Sequence, residues 1–358
     1  MRVLQSFRTG QGATNPYLVQ LGTQLGPETE VLGFTWRRAL GVPYDVFHVH
    51  WPDSLLTGSS SLRGLISRTL FRALLLRLWV RRRRTAVVRT LHDAHGQRAG
   101  SRIDRALLAR LDRRTALWIR LNPATPVPDG AVARTIEHGD YRHWFDAVGG
   151  ESSVPGRLLY SGLIRPHKGV PDLVQAFTAL RSGPDGSAVS LRVVGTPTST
   201  DIGAEVLLAA LADDRVSVSL GHLSDADLAA EIAHAELVIL PYQDLYGSEA
   251  SVLALSLARP ILVPANAATR ALRAEVGRGW VFTYTGALTA RALDDALTDC
   301  RAERAHRAER PDLSARAWPL IAAKHRAAYA AARSLVKGTG EPAVPGPEPV
   351  EAGGRPYI

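Results

Sequence analysis

Two short segments of the chain gather histidine, aromatic and acidic residues. Asp45 to Asp53 reads DVFHVHWPD, which sets His48 and His50 on one face of an extended run and follows them with Trp51, Pro52 and Asp53. Val87 to Gly96 reads VVRTLHDAHG, so His92, Asp93 and His95 come directly after an apolar run. Such side chains hold hydroxyls, move protons or line a polar pocket. Histidines two apart on a strand and three apart in a loop match no strong ligand spacing, so no metal is expected.

A different chemistry, anion capture, is offered by SGLIRPHKG (Ser161 to Gly169), where Arg165 and Lys168 stand just before a helix. Only Lys168, Lys324 and Lys337 are lysines among the 43 basic residues; the other 40 are arginine. In such a chain Lys168 marks a position that wants a compact ammonium rather than a planar fork. With Arg165 and the helix N-terminus it could hold a diphosphate, and the alternative is a pair of solvated loop charges.

Glycines add to this. In FRTGQGATNPY (Phe7 to Tyr17), Gly10 and Gly12 let backbone approach a ligand before a helix opens, which suits a phosphate or simply a tight strand-to-helix turn. It is a poor dinucleotide fingerprint, because Asn15 occupies the third glycine position. LRVVG ends a strand at Gly195, and PYQDLYGSEASVLALSLA places Tyr242, Gly247, Ser248 and Glu249 at the opening of an apolar helix. A glycine and a hydroxyl there suit a phosphate or sugar, with Glu249 available to hydroxyls.

The elements that must position these residues alternate between short apolar runs and helix-periodic stretches, the pattern of parallel sheets covered by helices. The first set of strands is expected at 2–6, 30–34, 45–50, 86–91, 117–121 and 135–138. The second is expected at 157–161, 190–194, 216–220, 237–240, 260–263 and 280–283. AVGGESSVPG (Ala147 to Gly156) reads as a linker, dividing a domain over 1–150 from one over 151–315. A helix over 316–337 would cross back onto the first domain, and the Pro- and Gly-rich 338–358 should be disordered.

The 358 residues are 46% hydrophobic and 22% charged, which suits two globular domains rather than a fibrous or disordered chain. One cysteine, Cys300, excludes an intrachain disulfide and a Cys-rich metal site. Without a signal-like start or a long apolar run, a cytoplasmic location is expected.

The formal charge of +9 points to an anionic partner: nucleic acid, an acidic membrane or a phosphorylated small molecule. Leu62 to Arg84 concentrates eight arginines. Those at 63, 68, 72 and 77 are spaced to line one face, with leucines on the rest and four more arginines, Arg81 to Arg84, at the end. This reads as a helix lying on an anionic bilayer, or as a core helix with solvated arginines. Nucleic acid is not an expected partner, since interleaved aromatics and a recognised binding module are missing.

The order of these motifs resembles that of the GT-B glycosyltransferases, most of all the nucleotide-sugar enzymes of family 4 and their relatives, over nearly the whole chain before the tail. SGLIRPHKG with the downstream PY and ARP segments is the most specific part. The glycine loop, VFHVHWPD, TLHD, EHGDY, LRVVG, LVILPY and GSEASVLALSLARPILV fall in the matching order. The resemblance implies two Rossmann-like, doubly wound parallel-sheet domains facing across a cleft. It implies a hexosyltransferase that moves a sugar from a nucleotide diphosphate donor to a glycan or lipid-linked acceptor, needing neither cofactor nor metal.

By the same likeness the second domain holds the donor, with Arg165 and Lys168 on its diphosphate and Gly195, Tyr242, Gly247, Ser248 and Glu249 nearby. Gly10 and Gly12 would approach from across the cleft, and His92 would face the donor sugar. Two departures stand out. The paired glutamates usual in that family fall here on Leu245 and Leu253, and the usual arginine after the strand glycine falls on Leu163, leaving Arg165 as its substitute. Sugar transfer passes through an oxocarbenium-like state, so the leaving charge must be stabilised and, if the reaction inverts, a base is needed. Asp53, His92 and Asp93 are the candidates. A catalytically weak sugar-nucleotide binder is the alternative reading, motivated by the missing glutamates.

Overall fold

The structure, a computed structural model, describes residues 1–7, 15–56, 61–92, 101–145, 153–242 and 249–339, apart from the side chain of residue 61. Gly10, Gly12, Asp93, His95, Gly247, Ser248, most of the expected linker and residues 340–358 of the tail lie outside the described residues.

Valine, leucine and isoleucine dominate the expected strands because a parallel sheet is buried on both faces. Six strands make the first sheet: β1 (Arg2–Gln5), β2 (Glu30–Gly33), β3 (Val46–Val49), β4 (Ala86–Leu91), β5 (Thr115–Arg120) and β6 (Ala133–Thr135). Their order is β2-β1-β3-β4-β5-β6, every pair parallel. Between them run α1 (Pro16–Gln24), α2 (Trp36–Gly41), α3 (Ser61–Val80) and α4 (Arg102–Asp112). The second sheet has β7 (Arg157–Ser161), β8 (Ser190–Gly195), β9 (Val216–Leu220), β10 (Leu237–Ile239), β11 (Ile261–Pro264) and β12 (Val281–Tyr284). It runs β12-β11-β10-β7-β8-β9, again all parallel. Its helices are α5 (Val170–Ala179), α6 (Thr200–Ala210), α7 (Asp225–His234), α8 (Glu249–Ser256), α9 (Ala267–Val276) and α10 (Ala290–Glu303). These are the two doubly wound layers that the alternation of short and long runs implies.

The last helix, α11 (Trp318–Lys337), follows the second sheet in sequence yet packs on the first. Its Trp318, Ile321, Ala328, Tyr329 and Ala332 share one core cluster with Val3, Tyr17, Val46, Val88 and Ile119. The Trp318 indole N–H donates to the Asp140 carbonyl at 2.6 Å, and Gly139 lies so close that an added Cβ would come within 2.6 Å of the Trp318 ring. This contact lies beside the most displaced strand of the first sheet. Residues 135–138 were expected to be a strand, but β6 is Ala133–Thr135 and the following chain packs against Trp318 at Gly139.

Helix α3 departs from its expected face. Arg68 forms a two-pronged pair with Asp104 at 2.8 and 3.0 Å, and Arg77 caps the carbonyls of Leu40 and Val42, so both arginines point into the protein. Phe71, Leu74 and Leu78 are buried, while Leu62, Leu65, Ile66, Leu76, Trp79 and Val80 are each at least half exposed. An arginine has a long stem, so spacing alone did not reveal which cations are consumed by partners. Among the described residues, no helix is long and apolar enough to cross a membrane.

Candidate active site

Ligands of open parallel sheets sit beyond the carboxyl ends of the strands, where the strand order reverses. In the first sheet that point lies between β1 and β3, and in the second between β7 and β10. Both reversals fall on residues singled out by type and spacing.

At the first reversal Gln5 and His48 are register partners, and His50, just past the end of β3, lies beside His48 while Phe47 packs oppositely with Phe34. His48 hydrogen-bonds through Nδ1 to the Tyr329 hydroxyl of α11 and through Nε2 to Thr90 of β4, both at 2.8 Å. The His50 backbone N–H donates to Ser6 Oγ at 2.9 Å, its Nε2 lies 3.3 Å from Gln5 Oε1, and its Nδ1 lies 3.0 Å from His92 Nε2. Trp51 stacks on His92, with centroids 4.1 Å apart and planes 23° from parallel.

Tyr17 fills the centre. Asn15 caps α1 by accepting from the Tyr17 N–H at 2.9 Å, and Pro16 starts the helix, so the ring is delivered beneath the cluster. It meets His50 and His92 edge-on, lies 4.4 Å from the His138 ring, and its hydroxyl reaches His325 Nε2 at 3.5 Å.

All five of these histidines are held neutral by burial. His48 and His50 lie well below the ordinary imidazole value, first through burial and then through neighbouring rings. Burial, with smaller effects of His138 and His325, brings His92 down to about 3. His325 falls to about 4 despite its bond to the Ile321 carbonyl, and His138 falls although Glu249 opposes the shift. His92 is the least covered of the five, so solvent moderates its shift most. Among the described residues no group of three histidine, cysteine or acidic side chains is arranged to hold a metal.

A second strand of contacts joins the two sheets. The Tyr141 hydroxyl donates to Glu249 Oε1 at 2.7 Å and lies 3.3 Å from His138 Nε2, while the Tyr141 backbone N–H donates to Ser256 Oγ at 2.9 Å. Glu249 opens α8, so the acid expected beside a sugar is tethered to the segment that follows the first sheet. Tyr141 and Phe145 pack there with Ala229 and Val252.

At the second reversal, Gly162 and Gly195 end β7 and β8 with φ of +134° and +155°. A Cβ on Gly195 would lie 1.8 Å from the Gly162 carbonyl oxygen, which explains that glycine as a backbone crossing. Gly169, at φ +63°, sits against the Pro241 carbonyl and starts α5. Arg165 immediately precedes the short helix Pro166–Lys168 without a side-chain capping bond, and the Lys168 ammonium lies 3.5 Å from the Tyr242 ring centroid. Tyr242 is only 4% exposed, so it forms a floor beneath Lys168.

Asp53 lies in the one-turn helix Pro52–Leu55, two residues from the Trp51 that covers His92. A groove of about 400 Å³ between β9 and α7 contains none of these residues, and its Arg157 and Arg192 both pair with Glu231. Tyr17, His325 and Tyr329 were not anticipated. Their only signal was position: His325 and Tyr329 are four apart on the stripe that also carries Ile321, Ala328 and Ala332.

No protein-family model matches the chain. It is 40% identical over 327 residues to the GDP-mannose:glycolipid 4-beta-D-mannosyltransferase of Xanthomonas campestris pv. campestris, covering 91% of each protein. Among solved structures, HepE of Anabaena in complex with UDP and glucose superposes with a TM-score of 0.56 at 14% identity, over 95% of this chain and 99% of that one. AviGT4, a glycosyltransferase of avilamycin A biosynthesis, gives a TM-score of 0.57 at 13% identity, over 94% and 98%. Identities this low bear on the fold alone, whereas the first similarity, at 40% over nine-tenths of both proteins, shows the family. The chain belongs to the GT-B glycosyltransferases, in the family that includes the GDP-mannose:glycolipid 4-beta-D-mannosyltransferases.

Proposed function

We propose that this glycosyltransferase moves a mannosyl unit from GDP-mannose to a sugar hydroxyl of a glycolipid, working against an anionic membrane surface. The observation that carries the reading is the coincidence of a 40% identical relative of that activity with Lys168 seated at the reversal of the second sheet. A diphosphate leaving group needs compact positive charge at a fixed point, and Lys168 with Arg165 supplies it without a metal. Gly10, Gly12, Gly247 and Ser248, outside the described residues, are proposed to complete the diphosphate contacts, and Gly195 and Tyr242 to support them from below. Glu249 is proposed to meet a donor hydroxyl with the carboxylate oxygen that Tyr141 leaves free.

The acceptor belongs on the first sheet. The relative makes a β-mannoside, and a donor with its nucleotide on the α face gives that product only by inversion, which calls for a base on the acceptor side. Asp53 and Asp93 are proposed for that role. His92, held neutral, is proposed to hold a hydroxyl by accepting its hydrogen bond.

Membrane contact is proposed through α3. Leu62, Leu65, Ile66, Leu76, Trp79 and Val80 supply an exposed apolar face, and Arg81 to Arg84 close it with positive charge. Each such cation near an anionic surface contributes about 1 kcal/mol. The deciding experiment offers purified protein labelled GDP-mannose, UDP-glucose or ADP-glucose with a lipid extract and measures transfer into lipid. Transfer from GDP-mannose alone is expected; a stronger UDP- or ADP-sugar reaction overturns the donor. Flotation with anionic liposomes tests the surface: a protein with Arg81 to Arg84 replaced by serine should stay behind, and undiminished flotation overturns it.

A further inference from the structure

We propose that His50 is a positioning residue that fixes His92 in one tautomer, with the proton on Nε2 and the lone pair of Nδ1 turned to the substrate. The inference rests on the reading above that His92 touches substrate.

The argument is one of counting protons along a buried chain of acceptors and donors. Gln5 is fully buried and presents Oε1 at 3.3 Å to His50 Nε2. With the amide in this orientation its oxygen accepts, which places the His50 hydrogen on Nε2. Burial keeps His50 neutral, which leaves its Nδ1 as an acceptor. That nitrogen lies 3.0 Å from His92 Nε2, which must therefore be the donor, and a neutral His92 is left with an unprotonated Nδ1. No described residue is hydrogen-bonded to that atom.

Two neighbours make the arrangement selective. Trp51, stacked 4.1 Å from His92, fixes the plane of the ring but not which edge faces which way, because the stack looks alike after a half-turn about χ2. His50 decides between those two orientations. Its own ring is held by the Ser6 bond to its backbone, by Tyr17 edge-on at 6.1 Å and by His48 at 4.2 Å. A substrate hydroxyl donating to Nδ1 thus meets a lone pair of fixed direction, and misplacing such a contact by about 1 Å costs roughly a hundredfold in rate.

The test pairs a spectrum with kinetics on the full chain. In protein labelled with ¹⁵N-histidine, long-range ¹H–¹⁵N correlations of His92 should show the Nε2–H tautomer alone, and His50→Leu should give a mixture. His50→Asn, which puts an amide oxygen near the place of Nδ1, should keep the single tautomer and most of kcat. His50→Leu should lower kcat roughly a hundredfold with little change in donor KM. Where His50→Leu fails to fold, Gln5→Leu serves instead, since it frees the His50 ring without touching the His92 contact. A His92 proton on Nδ1, an unaltered spectrum in the leucine variant, or an asparagine variant no better than leucine overturns the proposal. His92→Ala separates the two readings: full activity there removes His92 from substrate contact while leaving the tautomer result to stand by itself.

Discussion

Acid should unfold this protein far sooner than its carboxylates alone would require. His48, His50 and His325 are 0%, 3% and 0% exposed, and burial holds each below the ordinary imidazole value. In the unfolded chain each regains a value near 6.5, so between about pH 7.5 and 5.5 the unfolded state binds more protons than the folded one and stability falls with pH. Each ring contributes about 1.4 kcal/mol over that window, so the three together cost about 4 kcal/mol, a large part of the ~5–15 kcal/mol that folded proteins possess. His92 and His138 add to this, and leaving them out keeps the figure conservative. The paired carboxylates Asp104, Glu231 and Glu236 are also depressed, but their contribution is lost only at lower pH and does not enter the window. Urea unfolding at the two pH values in moderate salt reads the difference directly. A loss below about 1 kcal/mol refutes the reasoning, and so does a His325→Gln variant that keeps the full loss instead of shedding about one third of it.

Lys168→Ala should weaken GDP binding by about ten- to a hundredfold in calorimetry, the worth of one charge-assisted phosphate contact; equal affinity removes Lys168 from the site. Gly195→Ala should cost upwards of about 3 kcal/mol or prevent folding, because its Cβ would overlap the Gly162 carbonyl, and a normal thermal midpoint would contradict that crossing. Tyr141→Phe keeps the ring packing but removes the hydroxyl between His138 and Glu249, so denaturant unfolding should show a loss of about 1 to 2 kcal/mol. A variant as stable as the parent would mean that this hydroxyl ties nothing.

The sheets were legible because burial on both faces leaves no choice of residue type: β7 and β9 occupy the expected residues, and β3 differs only at its ends. Lys168 stands out in the sequence because rarity of type in an arginine-rich chain isolates it, and the structure sets it against the Tyr242 ring. His48, His50 and His92 could be seen as a set, but not their roles, since spacing says which face a histidine occupies and nothing about which nitrogen carries its proton. The face of α3 was misread for a related reason. Arg68 and Arg77 look like surface charges until Asp104 and the Leu40 and Val42 carbonyls are brought to them by elements far off in sequence. Tyr17, His325 and Tyr329 were invisible as site residues because each sits among apolar neighbours in its own helix, and only the return of α11 to the first sheet assembles them.

That return gives α11 a chemical consequence beyond bracing two halves. Tyr329 supplies the partner of His48 Nδ1, His325 lies within reach of Tyr17, and Trp318 holds the segment that carries His138 and Tyr141. Without this helix the β3 histidines would face water and regain ordinary imidazole values near 6.5, titrating close to neutral pH. Charged rings there would add positive potential to the proposed site, opposing a transition state with a cationic sugar and the role proposed for Arg165 and Lys168 at the leaving group. Dehydration by α11 keeps these rings uncharged. A helix remote in sequence thus sets the protonation of the histidines at the first sheet's reversal.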